Sequence, residues 1–396
     1  MARKRSLKKS VKTIKPSDSD KSFNHSPVVA SPVEKTKGLT LSSEGKIKKA
    51  GKKLSRFSAR TKETSEGWLQ KEKERAKHIK ALLEALHPGC IVPQESAFNG
   101  LVLSKKALER CQFVNNFFIN TKFRNCRLRS AVFRNCDLSG ADFRYADMPN
   151  CIFDRCNLQG TDLRHCNLSN TRIVDCNLYA ANLDNSQLNN AIIDHCDMGA
   201  QSFYNAVCRG LKLFNSPVYQ GFLESADFSQ AQFLNVQFRD CTLSNTCFDH
   251  ALLDECRFRA CESSQQGPVF SGCKMTNSIM EDCELDDLQF IGSQIMNSRI
   301  DRVQMVSGLL ENTLFSHVVF TDDTLKDCYS LEGGVAFHNC QLDHLVLDQT
   351  ELCQARFDHS KFISTEIRGC DFNSWEMTDT EIDSKTTVDS CFFHES

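Results

Sequence analysis

From Phe98 onward the apolar residues of this chain recur at every fifth position. Phe98, Leu103, Leu108, Phe113, Phe118, Phe123, Leu128, Phe133 and Leu138 open a series that runs unbroken to Leu253 and Phe258. All 33 positions of that series are apolar, counting Cys208. The register then slips by two residues and resumes from Phe270 through Met275, Leu285, Ile300 and Phe315 to Leu325. It slips again and resumes at Phe337, Leu342 and Leu347, reaching Ile382 and ending at Phe392 with only Thr387 polar. Two residues before each apolar centre the side chain is usually small, as at Ala131, Ala141, Ala146, Thr161, Thr171, Ala181, Ser186, Ala191 and Ala226.

A period of five matches neither an amphipathic helix nor an alternating strand. The chain must turn every five residues. If each pentapeptide forms one side of a square coil, the large centre and the small residue two before it both point inward, and the other three face water. One coil then takes 20 residues and stacks on the next at about 4.8 Å. A narrow, close-packed interior predicts a large residue on one layer against a small one on the next. About 14 such coils make a rod on the order of 65–70 Å long, and a solenoid of this kind is one unit whatever its length.

The units Ala141-Asp142-Phe143, Ala146-Asp147-Met148, Cys156-Asn157-Leu158, Cys166-Asn167-Leu168 and Ala181-Asn182-Leu183 resemble the A(D/N)LXX consensus of pentapeptide-repeat proteins. The resemblance implies an all-β solenoid, a right-handed quadrilateral β-helix. The expected organisation is a disordered basic tail over residues 1–64, a capping α-helix over 65–88, and the β-helix over 96–394 with register breaks at 259–269 and 326–336.

Four cysteines between Phe133 and Leu168 sit among Asp, Asn and His, which suggests a metal site until the period is applied. Cys136, Cys156, Cys176 and Cys196 lie 20 residues apart, so they stack as a ladder on one wall, and Cys256 returns to the column. Of 21 cysteines, 14 occupy the small inward slot, Cys111, Cys126, Cys151, Cys241, Cys340 and Cys370 among them. Free cysteine behaves there as a small hydrophobe. A tetrahedral zinc site needs converging ligands, and stacked side chains do not converge. Their spacing also exceeds that of a disulfide. Neither a metal nor any other cofactor is expected. So many unpaired thiols point to a reducing compartment such as the cytoplasm.

Charge divides the chain. Residues 1–65 carry a net +13 and residues 180–396 a net −20, within an overall −2. The tail is rich in Lys, Ser, Thr and Pro and reads as disordered. Its clusters Lys48, Lys49, Lys52, Lys53 and Arg56 suit an anionic partner, either nucleic acid or a lipid surface; a nuclear address or a solvated leader are the other readings. If helical, Ile47, Ala50, Leu54 and Phe57 would share a membrane-facing side. No apolar run is long enough for a transmembrane segment, and no apolar core follows the charged start as in a cleaved signal peptide.

Between tail and repeats, Ser65 is placed to cap a helix whose Leu69, Ala76, Ile79, Leu83 and Leu86 share a face and which Pro88-Gly89 ends. That face is expected to cover the first coil's open edge, with a homodimer contact as the alternative. The C-terminal edge is expected to be blunted by charge or used in assembly. The two register breaks read as loops, either recognition elements or tolerated insertions, and Cys261 and Cys328 are the thiols whose burial the pattern assures least.

No nucleophile elbow, phosphate loop, H-E-x-x-H or dinucleotide fingerprint occurs. Asp286-Asp287 and Asp322-Asp323 are adjacent acids that this fold splits between inward and outward roles or sets along a solvated wall, and a filled coil offers no deep substrate pocket. The expectation is a non-enzymatic scaffold for protein–protein interaction. The family resemblance admits a bacterial effector delivered into host cells. Its fluoroquinolone-resistance members imply an alternative, an acidic DNA mimic occupying the DNA site of gyrase. The long basic leader and the distal placement of the acids depart from that pattern.

Overall fold

The computed structural model describes residues 59–394 apart from 265 and 332. The chain divides into two units, Met1–Leu39 and Thr40–Ser396, and every described residue belongs to the second. The basic cluster from Lys48 to Arg56 lies outside the described residues.

Helix α1 spans Ala59–Ala85, so Ser65 lies inside it and not at its cap. Of its described side chains, 69–85, those at the C-terminal end meet the repeats. Leu82 and Leu86 are buried in the core and Leu83 packs against it, whereas Leu69 and Ala76 face water. Lys106 Nζ ties the junction by donating to the Leu83 carbonyl at 3.2 Å. The apolar stripe that meets the core is therefore shorter than the sequence implies.

Parallel pairing begins at Ile91, bridged to Gln112, and continues coil upon coil. About 14 coils stack into a four-walled solenoid. Wall 1 is a 14-stranded sheet from Gln112–Val114 to Glu376–Thr378. Wall 2 follows it in the chain and ends as ten strands from Met198–Gly199 to Glu381–Ile382. Wall 3 ends as seven strands from Glu262–Ser263 to Thr387–Asp389. Wall 4 carries Val269–Ser271 and its two partners, then Asp371–Asn373 paired with Phe392–His394. Single bridges such as Phe117 to Asp137, Lys122 to Asp142 and Arg127 to Asp147 continue walls 2, 3 and 4 toward the N-terminus.

The corner residue, two after each centre, has positive φ: 54° at Asn115, 52° at Asn135, 58° at His165. Asn, Asp and Gly visit this left-handed region at least cost, which explains why they recur at the corners, with Ala180, Ala200 and Ala260 among the exceptions. The amides then pair up the stack, Asn235 Nδ2 donating to Asn215 Oδ1 at 3.1 Å.

Inside, large stacks on large. Phe113, Phe133 and Phe153 form a column with ring centroids 4.7 and 5.0 Å apart, and Phe123 lies 4.6 Å from Phe143. This corrects the expectation that large and small residues alternate between layers. Identical walls spaced by one strand repeat leave room for offset rings face to face, each pair worth about 0.5–1.5 kcal/mol beyond area burial. The small slot forms its own column. Cys136, Cys156, Cys176 and Cys196 are at most 3% exposed, and each thiol donates to the carbonyl 23 residues back, at 3.3, 3.4, 3.5 and 3.6 Å. Thr121, Thr171 and Ser360 make the same bond in the same slot. The slot thus selects small side chains, and many of those with a donor, Cys, Ser and Thr, bond the coil below.

The register breaks are narrower than the sequence suggests. Ser263 and Ser330 still occupy centres, paired in line with Leu285 and beside Glu351, so each break is a net gain of two residues, between Ser263 and Phe270 and between Ser330 and Phe337. Cys261 and Cys328 consequently lie in the small slot, each 1% exposed, which settles the burial that the sequence pattern left open. At the C-terminus an extra residue in the turn after Asp383 shifts the register by one. Ile367 pairs with Val388 and Phe372 with Phe393, so Thr387 and Phe392 are not centres, and Phe392 is 64% exposed.

Candidate interaction surface

With the interior filled by side chains, the described repeat region can contact another molecule through its walls, corners, insertions and open end. Wall 3 is the most strongly differentiated. Its first coils carry an interlocked ladder: Asp142, 5% exposed, is held by Arg124 at 2.5 Å and Arg144 at 3.0 Å, and Arg144 reaches Asp162 at 3.1 Å, which Arg164 grips at 2.7 Å. At the adjoining corner Tyr145 stacks flat on His165, centroids 4.8 Å apart.

Further along, the sign of the same wall reverses. Glu262, Glu284, Asp286 and Asp348 stand on it, and Asp287 and Asp327 on its corner with wall 4. Among the described residues no cation lies within ion-pair distance of any of these six, and the one basic residue on that stretch is Lys326, in register beside Asp348. Wall 2 shows the contrast. Its Glu281 is clamped by Arg257 at 2.8 Å and Arg259 at 3.4 Å, its Asp282 by Arg302 at 2.6 Å, and its Asp301 by Arg302 at 2.7 Å and Arg299 at 3.0 Å. Between Glu262 and Asp348 the chain places acids on both walls but pairs them with counter-ions only on wall 2; wall 3 regains an ion pair at Glu366 and Arg368, 3.2 Å apart.

Composition reveals the acidic excess of residues 180–396 without assigning it to a wall. Sorting acids by position within a 20- or 22-residue coil, once the true insertions are known, would have found the strip. Of the two adjacent acid pairs, Asp286-Asp287 belongs to it. Asp322-Asp323 is split, Asp322 outward at a corner and Asp323 fully buried in the small slot.

Both insertions are fastened. Ser264 N–H donates to Ser244 Oγ at 2.8 Å and Asn245 N–H to the Gln266 carbonyl at 2.7 Å, while Gly267 lies against the Asp286 and Asp287 backbone so closely that a Cβ would collide with it. In the second, Glu311 accepts from Leu331 N–H at 2.7 Å and Gly333 N–H at 2.5 Å. At the last coils an apolar cleft of about 110 Å³ opens among Phe362, Ile367, Phe372, Trp375, Met377 and Val388.

Several of the thiols in the small slot are chemically quiet. Burial pushes Cys151 and Cys256 up to about 12 and Cys126, Cys273 and Cys340 up to about 11, so they remain neutral donors at physiological pH and lack the thiolate that metal binding and nucleophilic attack require. No described helix is long and apolar enough to cross a membrane.

The family model described as pentapeptide repeats matches in eight copies, over residues 118–155, 131–170, 151–190, 223–259 and 337–373. No curated protein sequence matches the chain. Solved structures that resemble it include HetL, a pentapeptide-repeat protein involved in heterocyst differentiation regulation in Nostoc sp. strain PCC 7120, at 17% identity over 65% of this chain and 87% of that one, TM-score 0.26. A trypsin-treated variant of QnrB1, a plasmid-mediated fluoroquinolone resistance protein, shares 16% identity over 62% of this chain and 91% of its own, TM-score 0.21. A pentapeptide-repeat protein of the Arabidopsis thaliana thylakoid lumen shares 24% over 31% and 68%, TM-score 0.15. Similarity at these scores carries no argument about partners.

Proposed function

Because the chain is a pentapeptide-repeat protein, its chemistry must be sought on its walls, and we propose that it is a non-enzymatic scaffold that binds a basic protein surface along the distal part of wall 3. The observation that carries this reading is the uncompensated strip from Glu262 to Asp348. Unpaired surface charge of one sign steers association and disfavours compact packing of like charges, whereas the neighbouring wall shows that this sequence can neutralise its acids. A rigid parallel sheet holds the carboxylates at fixed spacing, so a partner pays little ordering cost on their side. Delivery into a host cell, and anchoring through Lys48, Lys49, Lys52, Lys53 and Arg56, remain compatible with this scaffold role and place no further demand on wall 3.

The strip also favours a second reading. A row of fixed carboxylates can occupy a cationic groove built for phosphates, which keeps DNA mimicry toward gyrase as the alternative. One variant tests both. Glu284→Lys/Asp286→Lys/Asp287→Lys reverses the strip without touching an inward residue. Captured from a reducing lysate and identified by mass spectrometry, the basic proteins bound by the wild type should disappear with this variant and persist with a wall-2 control, Asp343→Lys. Identical captures for all three would sink the wall-3 assignment. Inhibition of gyrase supercoiling by the wild type, lost in the triple variant, would select mimicry.

A further inference from the structure

Beyond the strip, one surface cluster has the chemistry of a ligand site. His338 and Asp358 lie side by side on wall 1, where their strands pair in register, and His359 is the corner residue next to Asp358. His338 Nδ1 is 2.6 Å from Asp358 Oδ2 and His359 Nδ1 is 2.6 Å from Asp358 Oδ1. One donor atom from each of the three residues falls within 4.8 Å of the others. We propose that His338, Asp358 and His359 bind a divalent transition-metal ion of the zinc type.

Two imidazoles and a carboxylate suit zinc, cobalt, nickel or copper, whereas magnesium and calcium prefer oxygen alone. Ligands about 2.1 Å from a tetrahedral ion stand roughly 3.3 Å apart, so modest side-chain rotations close the set. The backbone supplies the rigidity. His338 and Asp358 are in register on adjacent strands, and Asp358 and His359 are consecutive.

The surroundings are arranged as a supporting layer. Asn339 Nδ2 sits 2.8 Å from His338 Nε2 and 3.5 Å from His317 Nε2, and Asp379 Oδ2 is 3.5 Å from His359 Nε2. Such outer contacts fix ring orientation in metal sites. Water would complete the coordination. Because the ligands come from two successive coils, an ion there would tie those coils together near the open end of the stack. The signal in the sequence is the pair of 21-residue steps from His317 to His338 to His359, one residue off the coil repeat, which moves each histidine to a neighbouring column.

The test uses the full chain after chelator treatment in reducing buffer. Cobalt is titrated and followed by its visible absorption, and zinc by competition with a chromophoric chelator. The expected result is one equivalent bound with no thiolate-to-cobalt charge-transfer band. Zinc should raise the melting temperature of the wild type. His338→Ala/His359→Ala, and independently Asp358→Asn, should weaken binding at least about tenfold and abolish the thermal shift, with unliganded melting unchanged. His195→Ala, at the equivalent corner beside Asp194, should bind as the wild type does. Wild-type binding absent at millimolar metal, binding equal in wild type and double variant, or a thiolate band would each overturn the proposal.

Discussion

Asp323 is a carboxylate in a slot built for Cys, Thr and Ala, and replacing it should change how stability depends on pH. The side chain is fully buried. Burial, with Asp301 and Asp322 adding like charge, raises its pKa to about 7, against the pull of Val303 N–H at 2.7 Å and Thr321 N–H at 2.8 Å. An unfolded aspartate titrates near 3.9, so the folded state retains a proton the unfolded state has lost over about three pH units, worth at most about 4 kcal/mol. The folded pKa is the higher one and the group is an acid, so its effect is absent below about pH 4. Stability is then lost as pH rises to about 7 and stays constant above it. Serine should cure this. Ser293 and Ser360 in the same kind of slot accept the N–H of the preceding coil at 3.1 and 3.2 Å, as Asp323 does from Val303. Asp323→Ser should therefore equal the wild type near pH 4, exceed it by about 1.5 kcal/mol at pH 5 and approach about 4 kcal/mol at pH 8. Denaturant unfolding followed by Trp375 fluorescence reports on these distal coils. Other carboxylates contribute equally to both proteins, so a difference that stays flat from pH 4 to pH 8 would refute the argument.

Native protein should expose few thiols to Ellman's reagent: of 21 free cysteines only Cys247, Cys353 and Cys391 are not buried, and the rest should react only on unfolding. Leu158→Asp puts a charge at a centre that is 1% exposed and should cost several kcal/mol or prevent folding. Asp154→Lys, on the outer face, loses bonds to Arg134 and Arg155 at 2.8 and 3.0 Å and should change the melting point little; equal effects of the two would disprove the inward–outward assignment. Gly199→Ala should displace the Tyr219 ring, which lies against the position of the new Cβ, and break the 2.8 Å bond from Tyr219 Oη to Asp197. A cost of about 1–3 kcal/mol is expected, and it should shrink when Tyr219→Ala is added.

The five-residue period made the coil legible because the centre is the one position with no alternative to an apolar side chain. Where that condition relaxes, the sequence misleads. Ser263 and Ser330 sit at centres because their hydroxyls reach the Asp286 and Cys353 carbonyls at 3.0 and 3.2 Å, so each insertion looks longer than it is. At the last turns the core thins, and Ile382 and Val388 are already 56% and 52% exposed. The apolar signal fades there, which let the series run on falsely to Phe392. Surface chemistry is harder to read than register. An acid on wall 2 and an acid on wall 3 are indistinguishable in the sequence until the coil length is known at every step. The two insertions and the late one-residue shift change which residues become neighbours. His338 and His359 meet at Asp358 only because that arithmetic comes out one residue from a whole coil. The same uniform backbone that makes the fold easy to recognise therefore leaves function to the column in which each outward side chain falls.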